Sequence, residues 1–158
     1  ATPTLTITPP PCSMVGSVLL QRPGQPAPHA SWSVLLTVTI GGRRYVVTTD
    51  TLGRFEISGL TPGVYDIRVK NAHTLANLKQ GVTLLPGVNS VDLGTLREGD
   101  SNDDNCVAIT DFSILANGFS PMYDPRADFN IDGHVSILDF SMLRESFGLC
   151  GDLPVTGP

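Results

Sequence analysis

"GDSNDDNCVAITDF" occupies Gly99–Phe112, and "ADFNIDGHVSILDF" occupies Ala127–Phe140. Set in register, Asp100, Asn102, Asp104, Val107 and Asp111 fall on Asp128, Asn130, Asp132, Val135 and Asp139. Each segment crowds carboxylates and amides into a short loop and then changes to an apolar pattern of helical period. Charges are sparse in the chain as a whole, at 16% Asp, Glu, Lys and Arg, so the crowding is local. Carboxylates gathered this closely repel one another unless a cation holds them. A hard divalent cation such as Ca²⁺ takes about 6–8 oxygens from carboxylates, amides and backbone carbonyls. The repeat therefore predicts two Ca²⁺ ions, one in each loop.

The spacing is that of a twelve-residue EF-hand-type loop, which draws ligands from positions 1, 3, 5, 7, 9 and 12. In the first loop these are Asp100, Asn102, Asp104, the backbone carbonyl of Cys106, and Asp111. In the second they are Asp128, Asn130, Asp132, the backbone carbonyl of His134, and Asp139. Val107 and Val135 stand where such a loop turns an apolar side chain inward. The last carboxylate falls in the first turn of the following helix, where the helix dipole favours negative charge. Position 6 of the first loop is Asn105 rather than Gly, and Asn tolerates a left-handed backbone. Asp at position 12 is one methylene shorter than Glu, so each loop must close more tightly. The competing account is a pair of Asp/Asn helix caps on polar turns. It leaves the registered repeat unexplained.

"AITDFSILANGF" (108–119) places Ile109, Phe112, Leu115 and Phe119 on one helix face, and "SILDFSMLRESF" (136–147) does the same with Ile137, Phe140, Leu143 and Phe147. Pro121 and Pro125 interrupt the chain between them, with a short helical turn expected after Pro125. No helical pattern precedes Asp100 or Asp128. A duplicated loop–helix unit with Asp at the last loop position resembles the dockerin family across Gly99–Leu149. The resemblance implies two antiparallel loop–helix repeats around two Ca²⁺ ions, with no catalysis and with a cohesin domain as partner. Carried over, the partner-contacting residues are Ile109, Thr110, Ala116 and Asn117 in the first repeat, and Ile137, Leu138, Arg144 and Glu145 in the second. The family's frequent Ser-Thr pair and basic pair are absent from both copies, and core positions are the alternative for Ile109 and Ile137. Antiparallel repeats return the end of the second helix to the first loop, which implies a Cys106–Cys150 disulfide. Cys12 is then expected to be the reactive thiol, free or joined to another chain.

Upstream the grammar is different. "SWSVLLTVTI" (31–40) and "RYVVTT" (44–49) are rich in β-branched and aromatic residues, with a turn at "IGGRRY" between them. "RFEISG" and "VYDIRVK" alternate apolar and polar residues with the period of a strand that has one buried face. Turn signals recur in "TDTLG", "GLTPG" and "LPGVN", which predicts a β-sandwich. Trp32 reads as a core anchor on an inner strand. "TTDTLGRFEISGLTPGVYDIRV" (48–69) resembles the carboxypeptidase regulatory-like family. That implies an Ig-like or transthyretin-like sandwich acting as a spacer, with Gly53, Gly59 and Gly63 in turns. The expected fold is thus multidomain, an all-β sandwich followed by a small all-α dockerin-like domain with two calcium loops. Its expected divisions are a Thr/Pro-rich segment at 1–12, the sandwich at 13–97, the dockerin-like domain at 98–151 and a tail at 152–158.

With 10 Lys and Arg against 15 Asp and Glu, the chain has no basic patch for nucleic acid. No apolar run has the roughly 20 residues needed to span a bilayer. No nucleophile-elbow motif, Cys–His pair or open metal site suggests an enzyme, and His29, His73 and His134 read as surface or turn residues. The Thr/Pro-rich start suggests a secreted, extracellular protein, with cell-surface association as a further possibility raised by "LPVTG" (153–157). That stretch matches the sortase anchoring pentapeptide, and chance is the favoured account of it. Two functions fit. One is a non-catalytic, extracellular, calcium-binding module that docks on a cohesin-type partner. The other is a subunit of an extracellular fibre whose partner is another copy of itself. In that homopolymer "TLTIT" (Thr4–Thr8), with Leu5 and Ile7 on one face, adds a strand to a neighbour's sandwich edge. Repeated head-to-tail, the contact builds a filament.

Overall fold

Alternating side chains dictate the first half of the fold. In the computed structural model, which describes residues 2–8, 10–119 and 121–158, inward apolar residues alternate with outward ones along β1 (Cys12–Leu20) and β2 (Leu35–Ile40). The remaining strands of this half are β3 (Arg43–Thr48), β4 (Arg54–Leu60), β5 (Gly63–Lys70), β6 (Asn77–Leu84) and β7 (Gly87–Leu96). A late strand, β8 (Leu153–Pro154), joins them after the helical half. One sheet runs β4-β1-β7 and the other β3-β2-β5-β6-β8. β1 pairs antiparallel with β4 and parallel with β7, so the chain's first strand lies in the middle of its sheet. The two inner faces enclose one core that includes Met14, Leu36, Val38, Ile67, Val69 and Leu93. Gly16 lets that core close: a Cβ there would lie 2.2 Å from the Phe55 ring.

Several local expectations are corrected. The strand expected from Ser31 begins at Leu35, because residues Ala30–Trp32 form a 3-10 turn whose N-cap, His29, accepts from the Ser31 amide. Trp32 is a core residue, but on that turn, with its indole N–H donating to the Gln25 carbonyl at 2.8 Å. Gly53 and Gly59 have positive φ, whereas Gly63 starts β5 beneath the Tyr65 ring. Cys12 is the first residue of β1, beyond the end of the N-terminal segment, and points into the core. Its buried thiol accepts from Asn89 and is inaccessible to another chain, so it is not the reactive cysteine expected. Within the 1–12 segment, Ala1 and Pro9 lie outside the described residues, and residues 2–8 form no strand.

The second half contains α1 (Ile109–Gly118) and α2 (Ile137–Ser146). Residues 125–127 make a turn rather than a helical element. The helices bury a different face from the one their apolar period indicates. Asp111, Leu115 and Gly118 are buried on α1, and Asp139, Met142, Leu143 and Ser146 on α2. Ile109, Phe112 and Phe119 stay exposed, as do Ile137 and Phe147. The reason is the small size of this core: Val107, Leu115, Ala127, Phe129, Met142 and Leu143 fill it, together with Leu75 from the sandwich half. Phe112 and Phe140 meet edge-to-face outside it, with ring centroids 6.2 Å apart.

Candidate metal loops and docking face

The two loops have the same hydrogen-bond architecture. Asp100 accepts from the amides of Asp104 (3.0 Å) and Asn105 (2.8 Å), and Asp128 from those of Asp132 (3.1 Å) and Gly133 (2.9 Å). The Asn102 side-chain amide donates to Asp104 at 2.8 Å, as Asn130 does to Asp132. Asp104 accepts from the Cys106 amide, and Asp132 from the His134 amide, both at 2.9 Å. Asp111 takes the amides of Ser101 and Asn102 on one oxygen and that of Ala108 on the other. Asp139 does the same with Phe129, Asn130 and Ser136. The last carboxylate therefore closes its loop and caps its helix together. Ser136 completes a capping box through its hydroxyl, whereas Ala108 has no side-chain acceptor to do so.

Sharp turns make this possible. Asp103 and Asn105 have positive φ in the first loop, as do Ile131 and Gly133 in the second. Asn105 stands where the second loop has Gly, and its side chain ties the first loop to the sandwich half. Its Oδ1 accepts from the Ala76 amide at 2.9 Å. Gly151 completes the fit, since a Cβ there would lie 2.0 Å from that same oxygen.

The donor set suits a hard cation. Asp100, Asp111, Asp128 and Asp139 are buried, and among the described residues Asp111, Asp128 and Asp139 make no salt bridge. Buried unpaired carboxylates are costly, and a metal ion is one remedy. Burial pushes the Asp139 carboxyl above its ordinary range, against the pull of its three amide donors. The Asp100 carboxyl is raised for the same reason, opposed by Lys70. Among the described residues no three His, Cys, Asp or Glu side chains converge as a cluster. EF-hand-type loops also draw on amide and carbonyl oxygens, a part that Asn102, Asn130 and the carbonyls of Cys106 and His134 would play here. His134 is exposed, leaving its carbonyl as the relevant group, while Cys106 is bonded to Cys150.

Sequence reading missed the junction between the halves. Arg22, at the strand end after β1, places Nη1 2.6 Å from Glu98 and 2.6 Å from the Phe129 carbonyl of the second loop. Burial pushes the Glu98 carboxyl up to about 7 against the pull of Arg22. His73 stands in a turn after β5, as expected, but there it packs on Phe129, and burial lowers its pKa. Its carbonyl accepts from the Gly99 and Asp100 amides, which seats the first loop on the sandwich. Lys70, the last residue of β5, reaches Asp100 at 2.9 Å and Asp103 at 2.5 Å. These pairs are distant in sequence and carry no local signal.

The residues expected to contact a partner are all exposed: Ile109, Thr110, Ala116 and Asn117 on α1, and Ile137, Leu138, Arg144 and Glu145 on α2. Ile109 and Ile137 are 64% and 66% accessible, which removes the core alternative for both. Glu145 also accepts from Gln21 at 3.2 Å. Among the described residues no helix is long and apolar enough to cross a membrane.

No curated protein matches the chain. Two solved structures share its fold, both type II cohesin–X-dockerin complexes from Acetivibrio cellulolyticus. The C-terminal interface mutant has 21% identity and a TM-score of 0.72, over 89% of this chain and 97% of that chain. The N-terminal interface mutant has 20% identity, with the same TM-score and coverage. Residues 98–147 match the family of the dockerin type I domain, a calcium-binding module.

Proposed function

We propose that this chain is a non-catalytic, extracellular assembly module whose dockerin-like half binds two Ca²⁺ ions and docks on a cohesin-type partner. The observation that carries the reading is the shared pattern of amide-to-carboxylate bonds in two acidic loops, each opening a helix that exposes an apolar residue at its start. Ca²⁺ would sit among Asp100, Asn102, Asp104, Asp111 and the Cys106 carbonyl, and among Asp128, Asn130, Asp132, Asp139 and the His134 carbonyl. It would neutralise the buried carboxylates and fix the start of each helix. The partner surface then comprises Ile109, Thr110, Ala116 and Asn117 with Ile137, Leu138, Arg144 and Glu145. The sandwich expected at 13–97 gains Cys12 and the returning strand β8, and acts as a carboxypeptidase regulatory-like spacer of Ig-like or transthyretin-like build beside the dockerin-like half at 98–151.

Calorimetry against purified type I and type II cohesin domains tests this. Binding is expected to one of them in Ca²⁺ and to neither in EDTA. Ile109→Asp combined with Ile137→Asp should weaken it at least tenfold, because burying a charge in an apolar contact is costly. Failure to bind either cohesin in Ca²⁺ would remove the reading.

A second reading rests on the N-terminal segment. Leu5 and Ile7 are 89% and 86% accessible and pair with no strand of their own sandwich. That leaves them free to add to an edge of a neighbouring copy, as in a fibre or adhesive filament.

A further inference from the structure

The two loops differ in the group that meets the first aspartate. Oδ2 of Asp128 accepts the neutral Tyr123 hydroxyl at 2.8 Å, and that bond raises the phenol to about 12. Oδ2 of Asp100 instead faces the Lys70 ammonium at 2.9 Å, and the lysine side chain is only 10% exposed. The ammonium is held from three sides, since it also reaches Asp103 and donates to the Asn71 carbonyl at 3.1 Å. Lys70 is anchored in β5, where it pairs with Thr37, and so belongs to the sandwich rather than the loop.

We infer that Lys70 is an intramolecular counter-cation for the first loop, which makes the loops fill in order, the second before the first. This rests on the calcium reading above. An ammonium beside Asp100 neutralises part of the loop's charge before any ion arrives, so the first loop keeps its shape on the sandwich. It also opposes an incoming divalent ion, since two cations a few ångströms apart in a partly buried site repel strongly. Asp103 lies at a loop position that supplies no side-chain ligand, so Lys70 can stay paired with it once an ion claims Asp100. Among the described residues no ammonium or guanidinium pairs with a carboxylate of the second loop. Arg22, the buried cation that reaches this loop, donates to the Phe129 carbonyl and is paired with Glu98, so Asp128 meets an ion without that opposition.

The test follows the Asn105 and Gly133 backbone amides, which report on Asp100 and Asp128, by NMR of the ¹⁵N-labelled full chain during stepwise addition of Ca²⁺. In the native chain the Gly133 amide should reach its bound position at a Ca²⁺ concentration at least about tenfold below that for Asn105. Lys70→Met should close most of that gap by tightening the first loop, and Lys70→Arg, which keeps the charge, should preserve it. Equal midpoints in the native chain, or an unchanged gap in Lys70→Met, would overturn the role of Lys70 while leaving the calcium reading intact. If neither amide moves, both fail.

Discussion

Replacing Arg22 with Met keeps the length of the side chain and removes its charge and donors. Arg22 and Glu98 are both wholly buried, with Nη1 and Oε1 2.6 Å apart. The guanidinium also donates to the carbonyls of Phe129 at 2.6 Å and Ser31 at 3.1 Å. Breaking a buried ion pair from one side costs about 3–5 kcal/mol, because the remaining charge has no partner. Each buried carbonyl left unpaired costs about 1–3 kcal/mol, but these terms overlap with the ion-pair figure and do not sum fully. We expect about 4 kcal/mol lost, a large share of the roughly 5–15 kcal/mol typical of a folded domain. The loss should depend on pH. The folded pKa of Glu98 lies above its unfolded value, at about 7 against an ordinary 4.5, so the folded state binds this proton more tightly. The group's cost therefore grows as pH rises from about 4.5 and levels off above about 7. Without Arg22, which lowers that pKa, the growth continues to higher pH. The variant's deficit should be greater at pH 8 than at pH 5. Urea unfolding in excess Ca²⁺, followed by circular dichroism and Trp32 fluorescence, measures it at both. Arg22→Met with Glu98→Met should recover at least half of the loss. A single-variant cost below about 1 kcal/mol, or a double variant no better than the single, would refute the claim that this pair holds the junction.

Two further outcomes follow from the same architecture. Cys106 and Cys150 close a loop of 44 residues, which the chain-entropy relation values at about 4 kcal/mol. Changing both to Ala should therefore lower the urea midpoint of the helical half in Ca²⁺, and an unchanged midpoint would mean that metal and packing alone set its stability. Deleting residues 1–11 should reduce average particle size in light scattering if the exposed Leu5 and Ile7 join copies, and an identical size distribution would exclude the fibre reading.

What was legible in the sequence was local. The proposed ligands of each loop lie within twelve residues of one another, so their chemistry appears as spacing. The helix positions and most strands follow from period, since each is set by neighbours along the chain. The buried helix face was not legible, because Ile109 and Ile137 are as apolar as a core residue and only the third dimension leaves them outside. β8 is too short to announce itself, and its partner β6 lies far upstream. Asn105 looked like a mere departure from Gly until Ala76 and Gly151 stood beside it.

The order of the strands gives the helical half a particular place. It leaves the sandwich after β7 and returns as β8, parallel to β6 at the end of the larger sheet. β8 reaches that position because the second repeat ends beside the first loop: the Gly151 amide donates to the Asn105 carbonyl at 2.7 Å, and the Leu153 amide to Ala76 at 2.9 Å. Arg68 then pairs with Asp152, and Lys79 donates to the Pro158 carbonyl. An uncovered sheet edge presents unpaired backbone groups to any passing strand. The first loop thus does two things through Asn105: its side chain holds the sandwich at Ala76, and its carbonyl guides the returning chain onto β6. A loop of this kind is closed by its ion. On the proposed calcium reading, cation binding in the first loop and coverage of the β6 edge are one linked equilibrium, and the Lys70 ammonium at Asp100 would favour the closed side before the ion arrives.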